Sequence, residues 1–203
     1  MYNERKERNN TKMIIFGGDG RVGKTSMFIH HMTGHPPTDY IPIKVDYQYE
    51  ECFINGETVR MIFNDHEGGG EEWYRLRHLG YINADTVVLC FSISSPDSFL
   101  RMKEYWYPFT QKHCPKAELL LVGMKKDLRD DRDVIKELAK AKEKPITYED
   151  GEELSKEIKA ECYLECSTLR GEGIEDVFNK AVEITSQVFI DNFQKQKKRC
   201  FIM

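Results

Sequence analysis

Met13-Ile14-Ile15-Phe16-Gly17, followed at once by Gly18-Asp19-Gly20-Arg21-Val22-Gly23-Lys24-Thr25, decides the fold. The apolar run reads as a buried strand, and a helical pattern over 24–32 begins where the glycines end. The eight residues from Gly18 match G-x-x-x-x-G-K-[ST], the signature of a phosphate-binding loop. That chemistry requires the strand–loop–helix setting. Glycines let backbone N–H groups approach phosphate oxygens, and the helix N-terminus adds positive potential. Lys24 reaches the terminal phosphates and the Thr25 hydroxyl is a candidate Mg²⁺ ligand. The candidate phosphate-binding residues are therefore Asp19, Gly20, Arg21, Val22, Gly23, Lys24, Thr25 and Ser26.

Along the rest of the chain, strand-like runs at 13–17, 47–54, 57–64, 86–92, 118–122 and 163–166 alternate with helical patterns at 24–32, 72–78, 97–113, 149–159 and 174–189. Strand–helix alternation implies a mostly parallel sheet covered on both faces. The exception is the second and third runs, joined only by Asn55-Gly56, a strong hairpin signal. The expected fold is α/β, of the phosphate-loop NTPase type: six strands, one antiparallel, flanked by helices. A charged pattern at 131–144 reads as an additional helix that Pro145 stops. It is either a solvated surface helix or a partner-binding excursion. One domain is expected over 12–190, with a flexible extension at 1–11 and a tail at 191–203. A chain of 203 residues buries roughly 70% of its unfolded surface, enough for one core.

Hydrophobic residues at 40% and charged residues at 32% are a globular composition. The net charge is −4, but it is unevenly spread. Residues 1–12 carry +2 and the last nine carry +4, leaving −10 on the body between them. An acidic body argues against nucleic acid as partner. The basic tail points to a local electrostatic role. No apolar run reaches the ~20 residues of a spanning helix, and the first twelve residues contain no signal-like stretch. The six cysteines form no compact framework, so reduced thiols in a cytoplasmic protein are expected.

Lys125-Lys126-Asp127 follows the fifth strand and Ser167-Thr168 the sixth. Behind a phosphate loop, these resemble the guanine-recognition motifs [NT]-K-x-D and S-A-K of Ras-like small GTPases. A nucleoside kinase would explain the loop but neither motif. The chain is most similar to the Rho family, over about 12–203. Tyr40-Ile41-Pro42, Arg75-Leu76-Arg77, Lys125-Lys126-Asp127-Leu128-Arg129, Glu165-Cys166-Ser167 and the charged segment 131–144 carry that likeness. Cys200-Phe201-Ile202-Met203 fits a prenylation box behind Lys195, Lys197, Lys198 and Arg199. The resemblance implies a guanine-nucleotide switch that uses GTP or GDP and Mg²⁺. Lys125, Asp127, Ser167 and Thr168 would bind guanine. Asp65 would hold Mg²⁺ through water and Gly68 would meet the γ-phosphate. Effectors, regulators of the GEF, GAP and GDI type, and the cytoplasmic face of the plasma membrane would be the partners, with the actin cytoskeleton as the field of action.

The departures from that pattern bear on activity. Where Rho proteins carry a Mg²⁺-ligating Thr after Tyr-Val-Pro, the first switch after Tyr40 has Ile43. In the second switch, D-T-A-G-Q-E becomes Asp65-His66-Glu67-Gly68-Gly69-Gly70-Glu71, and Gly69 replaces the water-orienting Gln. Thr38, His66 and Glu67 are the only nearby substitutes. Met124 replaces the Asn or Thr before Lys125, and Leu169 the Lys of S-A-K. Very slow hydrolysis is expected. The alternative is a scaffold that is locked on nucleotide, or empty, and recruits partners without cycling.

Overall fold

The structure, a computed structural model, describes residues 11–38, 48–65 and 78–200, with Asp65 and residues 191–200 as backbone. Strands β1 (Thr11–Gly18), β2 (Gln48–Ile54), β3 (Glu57–Asp65), β4 (Thr86–Ser92), β5 (Glu118–Met124) and β6 (Tyr163–Glu165) form one sheet in the order β2-β3-β1-β4-β5-β6. Only β2 runs antiparallel to its neighbour. The β2–β3 turn places Asn55 at φ 52° and Gly56 at φ 80°. Two consecutive left-handed residues are what a tight hairpin turn needs to match strand twist.

Alternate residues along the central strands feed two cores. Ile14, Phe16, Val88, Cys90, Leu120 and Val122 pack beneath α1 (Lys24–Thr33) and α6 (Ile174–Cys200). Ile15, Val87, Leu89, Phe91, Leu119 and Leu121 pack on the other face. Burying each such side chain contributes roughly 1.5–3 kcal/mol. Strand β4 is buried at all seven positions, the mark of a strand covered on both sides. The buried Thr86 hydroxyl of this strand is satisfied, because Thr86 Oγ1 and Thr185 Oγ1 lie 2.8 Å apart.

The helix expected over 97–113 is not uniform. Ser95 caps α2 (Pro96–Arg101), accepting from the Ser98 N–H. The rod then widens into a π-helical turn (Met102–Trp106) before α3 (Tyr107–His113). Within that turn the Tyr107 N–H reaches back five residues to the Met102 carbonyl. Pro108 is the cause: it has no N–H to give the Glu104 carbonyl, and its ring would strike that oxygen in a regular helix.

Three further expectations are corrected. The charged helix α4 (Arg132–Lys140) starts at its Asp131 cap but ends well before Pro145. Lys142 turns left-handed at φ 61°, and the Glu143 N–H closes the end on the Leu138 carbonyl at 2.9 Å. Helix α5 (Tyr148–Glu157) follows, opened by a reciprocal cap between Thr147 and Asp150. Cys166, expected as the last residue of the sixth strand, lies just beyond β6, and both it and Cys162 pack in the α1–α6 core. Finally, α6 continues past 189 to Cys200, so the segment read as a tail begins as helix. The helix expected over 72–78 lies outside the described residues, apart from His78. Among the described residues, no helix is long and apolar enough to cross a membrane.

Candidate functional site

The loops that leave β1, β5 and β6 meet at the carboxyl end of the sheet, where open α/β sheets receive ligands. The loop after β1 is held by close backbone approach. A Cβ at Gly18 would sit 2.1 Å from the Cys90 carbonyl oxygen of β4, so no other residue fits. Arg21 at φ 66° and Gly23 at φ 115° then turn the chain into α1. At Gly23 a Cβ would meet nothing nearer than the Met124 methyl at 3.6 Å, so its glycine is required by conformation.

Lys24 is 5% exposed, and its ammonium donates to the Gly18 carbonyl at 3.1 Å and the Asp19 carbonyl at 2.8 Å. Folded back in this way, the ammonium lies over its own loop. Thr25 follows as the second helical residue, half-buried. The Asp19 carboxylate turns away to the other face of the sheet. Its Oδ1 accepts the Trp106 indole N–H at 2.8 Å and pairs with Arg101 Nε at 3.1 Å.

The second loop joins the first directly. Lys125 adopts φ 59° and its ammonium donates to the Arg21 carbonyl at 2.8 Å. Burial, the larger effect, lowers its pKa against the opposing pull of Asp127. The third loop joins the second, since Ser167 Oγ donates to Asp127 Oδ1 and accepts the Arg170 N–H at 3.1 Å. Paired backbone bonds between Ser167 and Glu172 close that loop. Behind both loops, Arg129 grips Glu165 with two nitrogens and donates from Nε to the Ile146 carbonyl at 3.0 Å. The hydrogen bonds that Arg129 donates to Glu165 raise the pKa of its guanidinium above the ordinary value.

Met124 is fully buried beneath this junction. Its sulfur lies 3.5 Å from Cys166 Sγ, which is also 3.8 Å from Met27 Sδ. Burial pushes the Cys166 thiol up to about 12, so it stays protonated and packs as an apolar group.

The expected site residues thus divide. Residues 19–23 with the first residues of α1, Lys125 with Asp127, and Ser167 with Thr168 occupy three adjoining segments. The backbone of Asp65 ends β3 opposite Phe16 of β1, beside the first loop. Tyr40, Ile43, His66, Glu67, Gly68 and Gly69 lie outside the described residues, and Thr38 is exposed. Sequence reasoning missed Arg101 and Trp106 as partners of Asp19, and Glu165 as the partner of Arg129.

The sequence profile of the Ras family matches residues 12–187, well over half of the chain. The chain belongs to the Ras family. Ras-family proteins are GTP-binding small GTPases that use Mg²⁺, and the fold described above is theirs. The donor set fits such a group. This Ras-family chain brings a buried ammonium, a helix start with a hydroxyl at its second residue and a glycine cradle to one point. A hydroxyl-fixed carboxylate stands on the adjoining loop.

Proposed function

We propose that this chain is a Rho-like guanine-nucleotide switch, anchored at membranes by a prenyl group, that hydrolyses GTP very slowly. One observation carries the nucleotide reading: Lys125 bridges to the phosphate loop while Ser167 fixes Asp127. Such a carboxylate can accept two N–H groups of guanine, which adenine does not offer. Lys125 and Thr168 would flank the base. Backbone N–H groups of residues 19–26 and of Gly68 would meet the phosphates. Lys24 would exchange the carbonyls of Gly18 and Asp19 for phosphate oxygens, an exchange of partners of like kind. Thr25 directly, and Asp65 through water, would hold Mg²⁺, whose part is to neutralise charge on the β- and γ-oxygens.

The membrane and Rho-type parts of the proposal rest on sequence. Cys200 lies four residues from the end behind four basic residues, and the charged α4 stands where Rho proteins carry an insert. Exchange factors, GTPase-activating proteins, dissociation inhibitors and effectors would act on the G domain at 12–190. The second reading, a nucleotide-locked or empty scaffold, is favoured by Ile43 and Gly69, which offer no oxygen or amide side chain where a cycling switch uses them.

Asp127→Ala tests the site. It should lower the preference for GDP over ADP by about 10⁴-fold, the scale at which a hydrogen-bonding site loses its partner. Unmutated protein that binds ADP and GDP equally would refute the reading. Nucleotide copurifying with the protein bears on the alternatives: GDP supports a working cycle, GTP slow hydrolysis or a locked form, and an empty site the empty scaffold.

A further inference from the structure

We infer that Trp106 and Arg101 are positioning residues for the phosphate loop, acting through Asp19; the inference rests on the nucleotide-binding reading above. Asp19 is the second residue of that loop, and its two ends do different things. Its backbone carbonyl accepts the Lys24 ammonium on the α1 side, at 2.8 Å. Its carboxylate is drawn to the opposite side of the sheet, onto the Trp106 indole at 2.8 Å and the Arg101 guanidinium at 3.1 Å. A carboxylate in a loop that receives a polyphosphate is a liability, because like charges repel most strongly where water is excluded. The indole and guanidinium remove that liability by fixing the charge and compensating it.

The anchors are built for this. Trp106 is 1% exposed and packed into the second core, so its N–H cannot wander. Its direction is set by the π-helical turn that Pro108 forces, since the wider turn rotates the residues before Tyr107 relative to a regular helix. Arg101 closes the preceding turn and is half-exposed, with its guanidinium 5.4 Å from the centre of the Tyr105 ring. The buried anchor therefore fixes the geometry, and the exposed one supplies charge that solvent and solutes can reach. The loop's hold on nucleotide is thereby tied to a surface on the far side of the sheet from α1.

The test is the dissociation rate of a fluorescent GDP from the full chain, measured with the thermal midpoint of each nucleotide-free protein. Trp106→Phe should accelerate release about ten-fold, the scale of a hydrogen bond to a charged group, and Arg101→Gln about three-fold, the scale of a half-exposed ion pair. Raising the salt concentration should speed release from the wild type and leave Arg101→Gln almost unchanged, because the screened pair is gone. The deciding variant is Arg101→Gln combined with Asp19→Ala. With the stray carboxylate removed, release should return to near the wild-type rate. A merely structural role predicts the opposite, a double variant as fast as Arg101→Gln or faster, and that result overturns the inference. So does an Arg101→Gln protein that releases GDP like the wild type while the Asp127 test succeeds. A wild type that holds no guanine nucleotide would end both readings. The thermal midpoints guard against a trivial loss of folding, since Arg101→Gln at a half-exposed site should leave them within a few degrees.

Discussion

Gly69 has no side chain with which to orient a water, and phosphoryl transfer in this class rests almost wholly on positioning and electrostatics. The intrinsic hydrolysis rate should therefore fall below the roughly 10⁻⁴ s⁻¹ of a Ras-type protein with its Gln in place. Single-turnover assays on GTP-loaded protein check this, and Gly69→Gln should raise the rate toward that scale. A wild-type rate already there would mean that His66, Glu67 or another group has taken over the role. At the same scale, Arg129 and Glu165 show how much one pair can hold. Glu165's side chain is 5% exposed and both its oxygens are engaged, by Arg129 and by the Tyr163 hydroxyl at 2.7 Å. Arg129→Met leaves a buried carboxylate without its cation, which should cost about 3–5 kcal/mol of stability. Arg129→Met with Glu165→Leu should recover much of it. Urea denaturation of the three proteins measures both effects.

Helix α5 depends on a reciprocal cap at its first turn. The Thr147 hydroxyl accepts the Asp150 N–H at 3.1 Å, and Asp150 accepts the Thr147 N–H at 2.9 Å. That backbone bond, foremost, and the Thr147 hydroxyl hold the Asp150 carboxyl below its ordinary 3.8. A lowered carboxyl pKa contributes stability above the unfolded value, lost as pH falls through the folded one. Thr147→Ala should cost about 1 kcal/mol at neutral pH. The difference from wild type should shrink as the pH drops below about 4, which thermal melts across that range would record. Legibility at this scale followed local chemistry. Asn55-Gly56 announced its turn because two left-handed residues are needed there and those residues supply them. The phosphate loop was equally plain, because strand, glycines and helix are contiguous. The π turn was signalled by Pro108 but hidden by the helical pattern over 97–113, within which Trp106 falls. Its bond to Asp19 joins positions 87 residues apart, and no local pattern encodes such a meeting. The end of α4 differs for a local reason: Pro145 forbids helix, but Lys142, a non-glycine residue, has already turned the chain left-handed.

Across the whole molecule, an acidic body is joined to a strongly basic end. One prenyl chain alone gives reversible membrane binding, and each basic residue near an anionic leaflet adds about 1 kcal/mol. Cys200→Ser should therefore leave the protein in the supernatant when anionic vesicles are sedimented after prenylation. Neutralising Lys195, Lys197, Lys198 and Arg199 together should weaken binding and remove most of its salt dependence. Sedimentation of the Cys200→Ser protein with the vesicles would place the anchor elsewhere. The 27 residues of α6 give this end a mechanical character. At about 1.5 Å per residue the helix is roughly 40 Å long, and its first half is cemented into the core by Ile174, Val177, Phe178, Ala181 and Ile184. A group fastened at its far end would be joined to the core through unbroken helix. The G domain would then ride on a surface as a paddle does on its shaft, at a set height and with a restricted choice of which face it turns outward.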